Sequence, residues 1–193
     1  MSKRILFNQG HPDASQPHLC HALATSYSRR SQSAGHTVKH VDVAELGFPL
    51  LRSQKEFETS PVPASLKPVR NEVLWAEHLV IFFRLWAGDM PALLKGFFEQ
   101  VMRPAFTGKH ASFFDKKNLS GRTARVVVTM GMPAINYRWY FRASSVKSLE
   151  HNLLGIVGIA PVHETLIGLI GNMKPTEAAK WLSKLKRLGA RVE

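Results

Sequence analysis

Apolar residues gather into five short runs rich in β-branched and aromatic side chains, at positions 4–8, 37–43, 78–83, 123–129 and 160–166. Two of these runs contain "VIFF" and "RVVV", which show no polar alternation and so predict strands covered on both faces. The segments between the runs carry helical spacing instead. Leu19, Ala22, Leu23 and Tyr27 share one face of a predicted helix over 19–34, with Gly35 as its stop signal. A weaker pattern at 68–76 has Val69, Val73 and Ala76 in phase. A third helix opens at Pro91, where proline is tolerated, and its two adjacent stripes, Leu93-Phe97-Val101 and Leu94-Phe98-Met102, imply heavy burial. Segments 143–154 and 176–188 complete the set. Parallel strands need crossover connections, so this alternation predicts an α/β fold: a doubly wound, five-stranded parallel sheet with helices on both faces, in one domain spanning 1–193.

Two connections are longer than a compact domain needs. Pro49, Pro61 and Pro63 punctuate 46–65; Gly108 and Gly121 bracket 106–120. Loops of that length serve as lids or partner contacts more often than as neutral links. Together with the apolar excess of the third helix they predict a homodimer.

Charge narrows the partners. The 26 Lys and Arg exceed the 14 Asp and Glu, for a formal +12. The cations scatter over Arg29-Arg30, Lys116-Lys117, Arg122, Arg125, Arg138, Arg142 and the tail from Lys180 to Arg191, with no RNA-binding aromatic signature or zinc-finger spacing. That argues against dedicated nucleic-acid binding and for a solvated basic surface attractive to phosphorylated cofactors. The single Cys20 cannot form an internal disulfide and reads as a small buried hydrophobe. No apolar run approaches the roughly 18 residues that span a bilayer, so the expectation is a soluble, cytoplasmic protein. No metal site is expected.

In open α/β sheets ligands bind beyond the carboxyl ends of the strands. Three loops leave such ends. "NQGHPDASQPHLCHALA" sets Gly10, His11, Ser15, Gln16 and His18 before a helix, whose free N–H groups and dipole suit a phosphate. "RLWAGDM", from Arg84 to Met90, offers the flat face of Trp86 to a planar ring and has Gly88 for close backbone approach, without an ordinary turn signature. "TMGMPAINYRWYF" combines Gly131, Pro133 and the aromatics Tyr137, Trp139 and Tyr140. Each loop read alone also fits an ordinary capped turn with core aromatics.

Taken together, "GHP…ALA", "W-x-G-x-M-P-A-L-L-K-G-F-F" and "V-T-M-G…Y" resemble the flavodoxin-like NAD(P)H:quinone oxidoreductase family, which includes the ancillary oxidoreductases of potassium efflux systems. The resemblance covers most of the chain and is most specific over "MPALLKGFF". It implies FMN at the strand ends, with FAD as the alternative, NAD(P)H as co-substrate, and a homodimer with active sites at the subunit interface. Carried onto this sequence, it puts His11, Pro17, His18, Leu19 and Cys20 around the flavin phosphate. Arg84, Leu85, Trp86 and Ala87 would line the isoalloxazine ring. Thr129, Met130, Gly131 and Met132 would present N–H groups to its N1/O2 edge, and Tyr137 would donate a proton to the acceptor. This chain departs from the family at Pro17, Arg84 and Met130. Pro17 removes a hydroxyl and an N–H from the phosphate site. Arg84, at the end of a buried strand, calls for a ligand, or for Asp89 or Glu99, as its counter-charge.

The expected activity is hydride transfer from NAD(P)H to a quinone or similar electrophile by a ping-pong route. A rival reading keeps the fold as a regulatory module in peripheral contact with a membrane transport protein. A one-electron carrier fits less well, because such carriers are acidic and this chain is basic.

Overall fold

The two unbroken apolar runs become the middle of the sheet. In the computed structural model, which describes residues 2–103 and 119–192, all five strands are parallel: β1 (Arg4–Gln9), β2 (Thr37–Asp42), β3 (His78–Arg84), β4 (Thr123–Thr129) and β5 (Val162–Ile167). Their order is β2-β1-β3-β4-β5, so the chain reverses direction between β1 and β3. Helices follow as α1 (Leu19–Ser33), α2 (Gln54–Thr59), α3 (Lys67–Trp75), α4 (Ala92–Met102), α5 (Ala134–Trp139), α6 (Ser144–Ser148) and α7 (Pro175–Arg191). The helix expected over 143–154 is α6 continued by a π-helical turn, Leu149–Leu154.

Alternate side chains of each strand feed two cores, as the two-residue repeat requires. Leu6, Ile81, Phe83, Val126 and Val128 pack with α3 and α4; Ile5, Phe7, Val80, Phe82 and Val127 pack with α1 and α7. On the second face α1 and α7 touch backbone to backbone. A Cβ on Gly189 would sit 2.4 Å from the Tyr27 carbonyl oxygen, so glycine is required there. Ser26 and Ser31 then donate from α1 to the Leu182 and Gly189 carbonyls of α7 at 3.1 and 3.0 Å.

The side of α4 that carries Phe97 is covered from within the chain. Leu50 lies over Gly96, Phe48 meets Phe97 edge-on, and Gln100 Nε2 donates to the Pro49 carbonyl at 2.7 Å. Buried Arg103 donates to the Glu56 and Pro61 carbonyls. The connection 46–65 is therefore a cover for α4 that contains α2, capped by Ser53, and the apolar excess of α4 is no argument for a dimer. The other long connection, 106–120, lies outside the described residues up to position 118. Arg125, read from sequence as a surface charge, is buried, with Nη1 donating to Thr165 Oγ1 at 2.8 Å across the β4–β5 pair.

Candidate active site

The carboxyl ends of β1, β3 and β4 bring the three sequence-predicted loops together at the point of reversal. At the end of β1, Gly10 leaves room for Leu94, whose methyl would lie 2.6 Å from any Cβ. His11 is buried. Its Nδ1 lies 3.2 Å from the Asp13 N–H. The Asp13 carbonyl oxygen lies as close, at 3.1 Å, so the tautomer depends on which of the two Nδ1 engages; in the form in which Nδ1 accepts, the proton sits on Nε2, which is buried without a partner among the described residues. Burial, then the adjacent His18, hold the His11 pKa down at about 4, so the ring is neutral near pH 7.

Asp13 organises the rest of this loop. Its carboxylate accepts from the Ser15 N–H at 2.9 Å, the Ser15 hydroxyl at 2.5 Å and His18 Nε2 at 2.9 Å. Those bonds, from Ser15 first, keep its carboxyl well below the usual range. His18 donates its backbone N–H to His21 Nδ1 at 3.2 Å, and Pro17 has none to give. The N–H groups of Leu19 and Cys20 in the first turn of α1 have no acceptor among the described residues. The Cys20 thiol faces the core, where burial pushes its pKa up to about 12 against the influence of Thr129 and Arg84. Only the backbone of Cys20 can serve a ligand.

At the end of β3, Trp86 and Asp89 exchange two backbone hydrogen bonds at 2.9 and 2.8 Å around Ala87 and Gly88. These central residues have φ of +47° and +83°, the signature of a type I′ turn, with Ala in the place usually taken by Asn. The tight turn was not legible because Ala87 does not advertise a left-handed conformation. It leaves Trp86 48 % exposed, its ring edge-on to His11 with centroids 6.5 Å apart. Leu85, in contrast, is buried in the core. Arg84 pairs with neither expected carboxylate. Asp89 Oδ1 accepts from the Met90 N–H at 2.6 Å, and Glu99 is bound to Lys95 at 2.5 Å.

At the end of β4, Thr129 is buried opposite Arg84 in the ladder. The Met130 N–H is already bound to the Ile167 carbonyl at 2.9 Å, so it is not available to a ring edge as expected. The N–H groups of Gly131 and Met132 have no acceptor among the described residues. Gly168, which sequence reasoning passed over, braces this loop: a Cβ there would meet the Ala134 nitrogen at 2.4 Å and the Met132 oxygen at 2.6 Å. Asp13 was likewise missed, although "DAS" is a legible turn signal. Tyr137 departs most from expectation. It is fully buried, and its oxygen accepts from the Val146 N–H at 3.4 Å, which points the phenol into the protein.

The family model described as "Flavodoxin-like fold" matches residues 3–190, and the chain belongs to that family. A curated relative, an uncharacterized NAD(P)H oxidoreductase of Haemophilus influenzae, is 23 % identical over 177 residues, covering 90 % of this chain and 85 % of the relative. Among solved structures, an NAD(P)H:quinone oxidoreductase from Methanothermobacter marburgensis superposes with a TM-score of 0.82 at 22 % identity, over 100 % of this chain and 97 % of the other. An FMN-dependent NADH-azoreductase from Bacillus anthracis, in complex with FMN, gives 0.70 at 18 % identity over 98 % and 99 %.

Proposed function

We propose that the chain is an FMN-dependent NAD(P)H oxidoreductase that reduces quinones or similar electrophiles. The observation that carries this reading is a set of donors without acceptors among the described residues, on the loops that leave the carboxyl ends of β1, β3 and β4: His11 Nε2 when it carries the proton, the Leu19 and Cys20 N–H groups, the Gly131 and Met132 N–H groups, and the Arg84 guanidinium. The penalty of about 1–3 kcal/mol for a buried donor without an acceptor falls on His11 and Cys20, the two buried residues of the set, and an anionic ligand would recover it.

The residues fit a flavin mononucleotide. The first turn of α1 and His11 Nε2 would hold its phosphate, with helix dipole and N–H groups acting together. Trp86 would flank the isoalloxazine. Gly131 and Met132 would donate to the pyrimidine edge, favouring negative charge there. With FMN held there, the pocket would receive NAD(P)H and the acceptor in turn, a ping-pong exchange whose hydride chemistry the flavin would supply. Arg84, without an ion pair among the described residues, would attract the dinucleotide's phosphates or the pyrimidine edge. Tyr137 is left with a structural part: its phenol holds the N-terminal turn of α6 near Met90, whose N–H donates to Ser145 Oγ at 3.1 Å.

A homodimer is part of the proposal, now supported by α5 rather than α4. Ile135, Trp139 and Tyr140 are 65, 75 and 82 % exposed directly after the Met130–Pro133 loop, an apolar face at the mouth of the site that a second copy would cover. The test is direct. Protein that purifies yellow, releases FMN on denaturation and oxidises NADPH with menadione supports the enzyme. Colourless protein that cannot be reconstituted with FMN or FAD would instead support the regulatory module.

A further inference from the structure

The cations of the chain are not spread evenly over its surface. Helix α1 exposes Arg29 and Arg30 and contains no acidic residue; α7 exposes Lys180, Lys184, Lys186, Arg187 and Arg191 against the single acid Glu177. None of these seven cations forms an ion pair among the described residues. The backbone contact of Gly189 with Tyr27 locks the two helices side by side, so the cations sit on one rigid face. Two open clefts of about 450 and 550 Å³ run along that face, and Arg30 and Lys186 line both.

We propose that the α1–α7 face docks the protein on an anionic lipid bilayer. This face does not serve the cofactor phosphate: Arg30 follows His18 by 12 residues along α1, roughly 18 Å down the helix from the first-turn N–H groups. A cluster of four to eight Lys and Arg on an amphipathic helix matches the chemistry of acidic phospholipid headgroups, which need phosphate contacts and no reading of bases. Nucleic acid is the poorer fit. The aromatic ring beside the cations, Trp181, is partly buried against the core and capped on one face by Lys184 Nζ at 4.6 Å, which suits it poorly to stacking. An edge of apolar residues continues the face toward β5. Leu169 is 51 % exposed there and shares with Met173, Trp181 and Lys184 a further groove of about 670 Å³. No helix among the described residues is long and apolar enough to cross a membrane, so the attachment is peripheral, electrostatic and reversible by salt.

The experiment is co-sedimentation of the purified full chain with phosphatidylcholine vesicles, with and without about 30 % phosphatidylserine, at about 0.1 M and 0.5 M salt. Binding is expected to the anionic vesicles alone and to be lost at the higher salt. Each neutralised cation should weaken it roughly fivefold. The triple variant Arg30→Glu, Lys186→Glu, Arg187→Glu should therefore fail to pellet. A variant of equal charge change on exposed positions elsewhere, Arg52→Glu, Lys55→Glu, Lys67→Glu, should keep most of its binding, with both variants matched to the parent in melting temperature. The inference is overturned if the parent chain ignores anionic vesicles at low salt. It is overturned equally if the two triple variants lose binding alike, since net charge and not this face would then be responsible. A DNA duplex that binds more tightly than the vesicles at the same salt would assign the face to nucleic acid.

Discussion

His18 lies nearly flat on His11, with ring centroids 4.1 Å apart and planes 24° from parallel, while His18 Nε2 is held by the Asp13 carboxylate at 2.9 Å. The pairing divides two tasks. His18 Nε2 engages the Asp13 carboxylate, and His11, whose pKa burial holds down at about 4, stays neutral with Nε2 facing inward. His11→Ala should then weaken FMN retention roughly tenfold or more, the value of one hydrogen bond to a charged group. His11→Gln, which keeps an N–H near that position, should restore much of it. Equilibrium dialysis of the apoprotein with FMN measures both; equal affinity for all three proteins would remove His11 from the phosphate site.

Arg84→Ala should raise the KM for NADPH or lower FMN affinity, because a charge-assisted contact worth roughly 1.5–3 kcal/mol is lost. Arg84→Lys should recover part of the effect, an ammonium being unable to reproduce the planar fork. Neither change should lower the melting temperature much, since Arg84 has no ion pair to lose among the described residues. Lowered stability with unaltered kinetics and FMN binding would mark Arg84 as structural.

Tyr137→Phe tests the reassigned tyrosine. The hydroxyl's bond to the Val146 N–H disappears, leaving a buried donor unmatched, so stability should fall by about 1–2 kcal/mol. Turnover of menadione at saturating NADPH should stay within about twofold of the parent, the opposite of what a proton donor with its usual contribution of hundredfold or more would give.

Acid stability should report a residue at the other end of the sheet. His78 is buried at the start of β3, with Nδ1 2.6 Å from Thr123 Oγ1, and burial above all holds its pKa down at about 3. An unfolded imidazole takes up its proton near pH 6.5, whereas the folded one does so near 3. The unfolded chain therefore binds more protons between those values, and stability falls as pH drops below about 6.5, with no contribution above neutrality. The loss assigned to His78 is about 2–3 kcal/mol at pH 4.5. Urea unfolding of the parent and His78→Leu at pH 7 and pH 4.5 should show the gap between them narrowing in acid. A gap independent of pH would mean that His78 titrates normally in the folded chain.

What was legible in the sequence is instructive in its particulars. Runs such as "VIFF" announce themselves because a strand buried on both faces has no room for polar alternation, and β3 and β4 lie where they were expected. The exposure of Trp86 was also readable, from its place between a buried strand and a glycine. Short helices were not: α2 and α5 have six residues each, too few to show a period, and form only against the rest of the fold. Side-chain direction was the harder limit. Tyr137 sits at the expected position but turns inward to Val146, nine residues on, and Arg125 is buried through a partner 40 residues away. Such long-range pairings leave no mark on local composition.

The glycine contact between α1 and α7 also orders events during synthesis. Helix α1 is made well before α7, yet its far half is seated by Leu182 and Gly189 of α7. A nascent polypeptide on the ribosome cannot clamp that helix until α7 has emerged. Until α7 (Pro175–Arg191) is made, α1 therefore lacks the serine and glycine contacts that seat its far half.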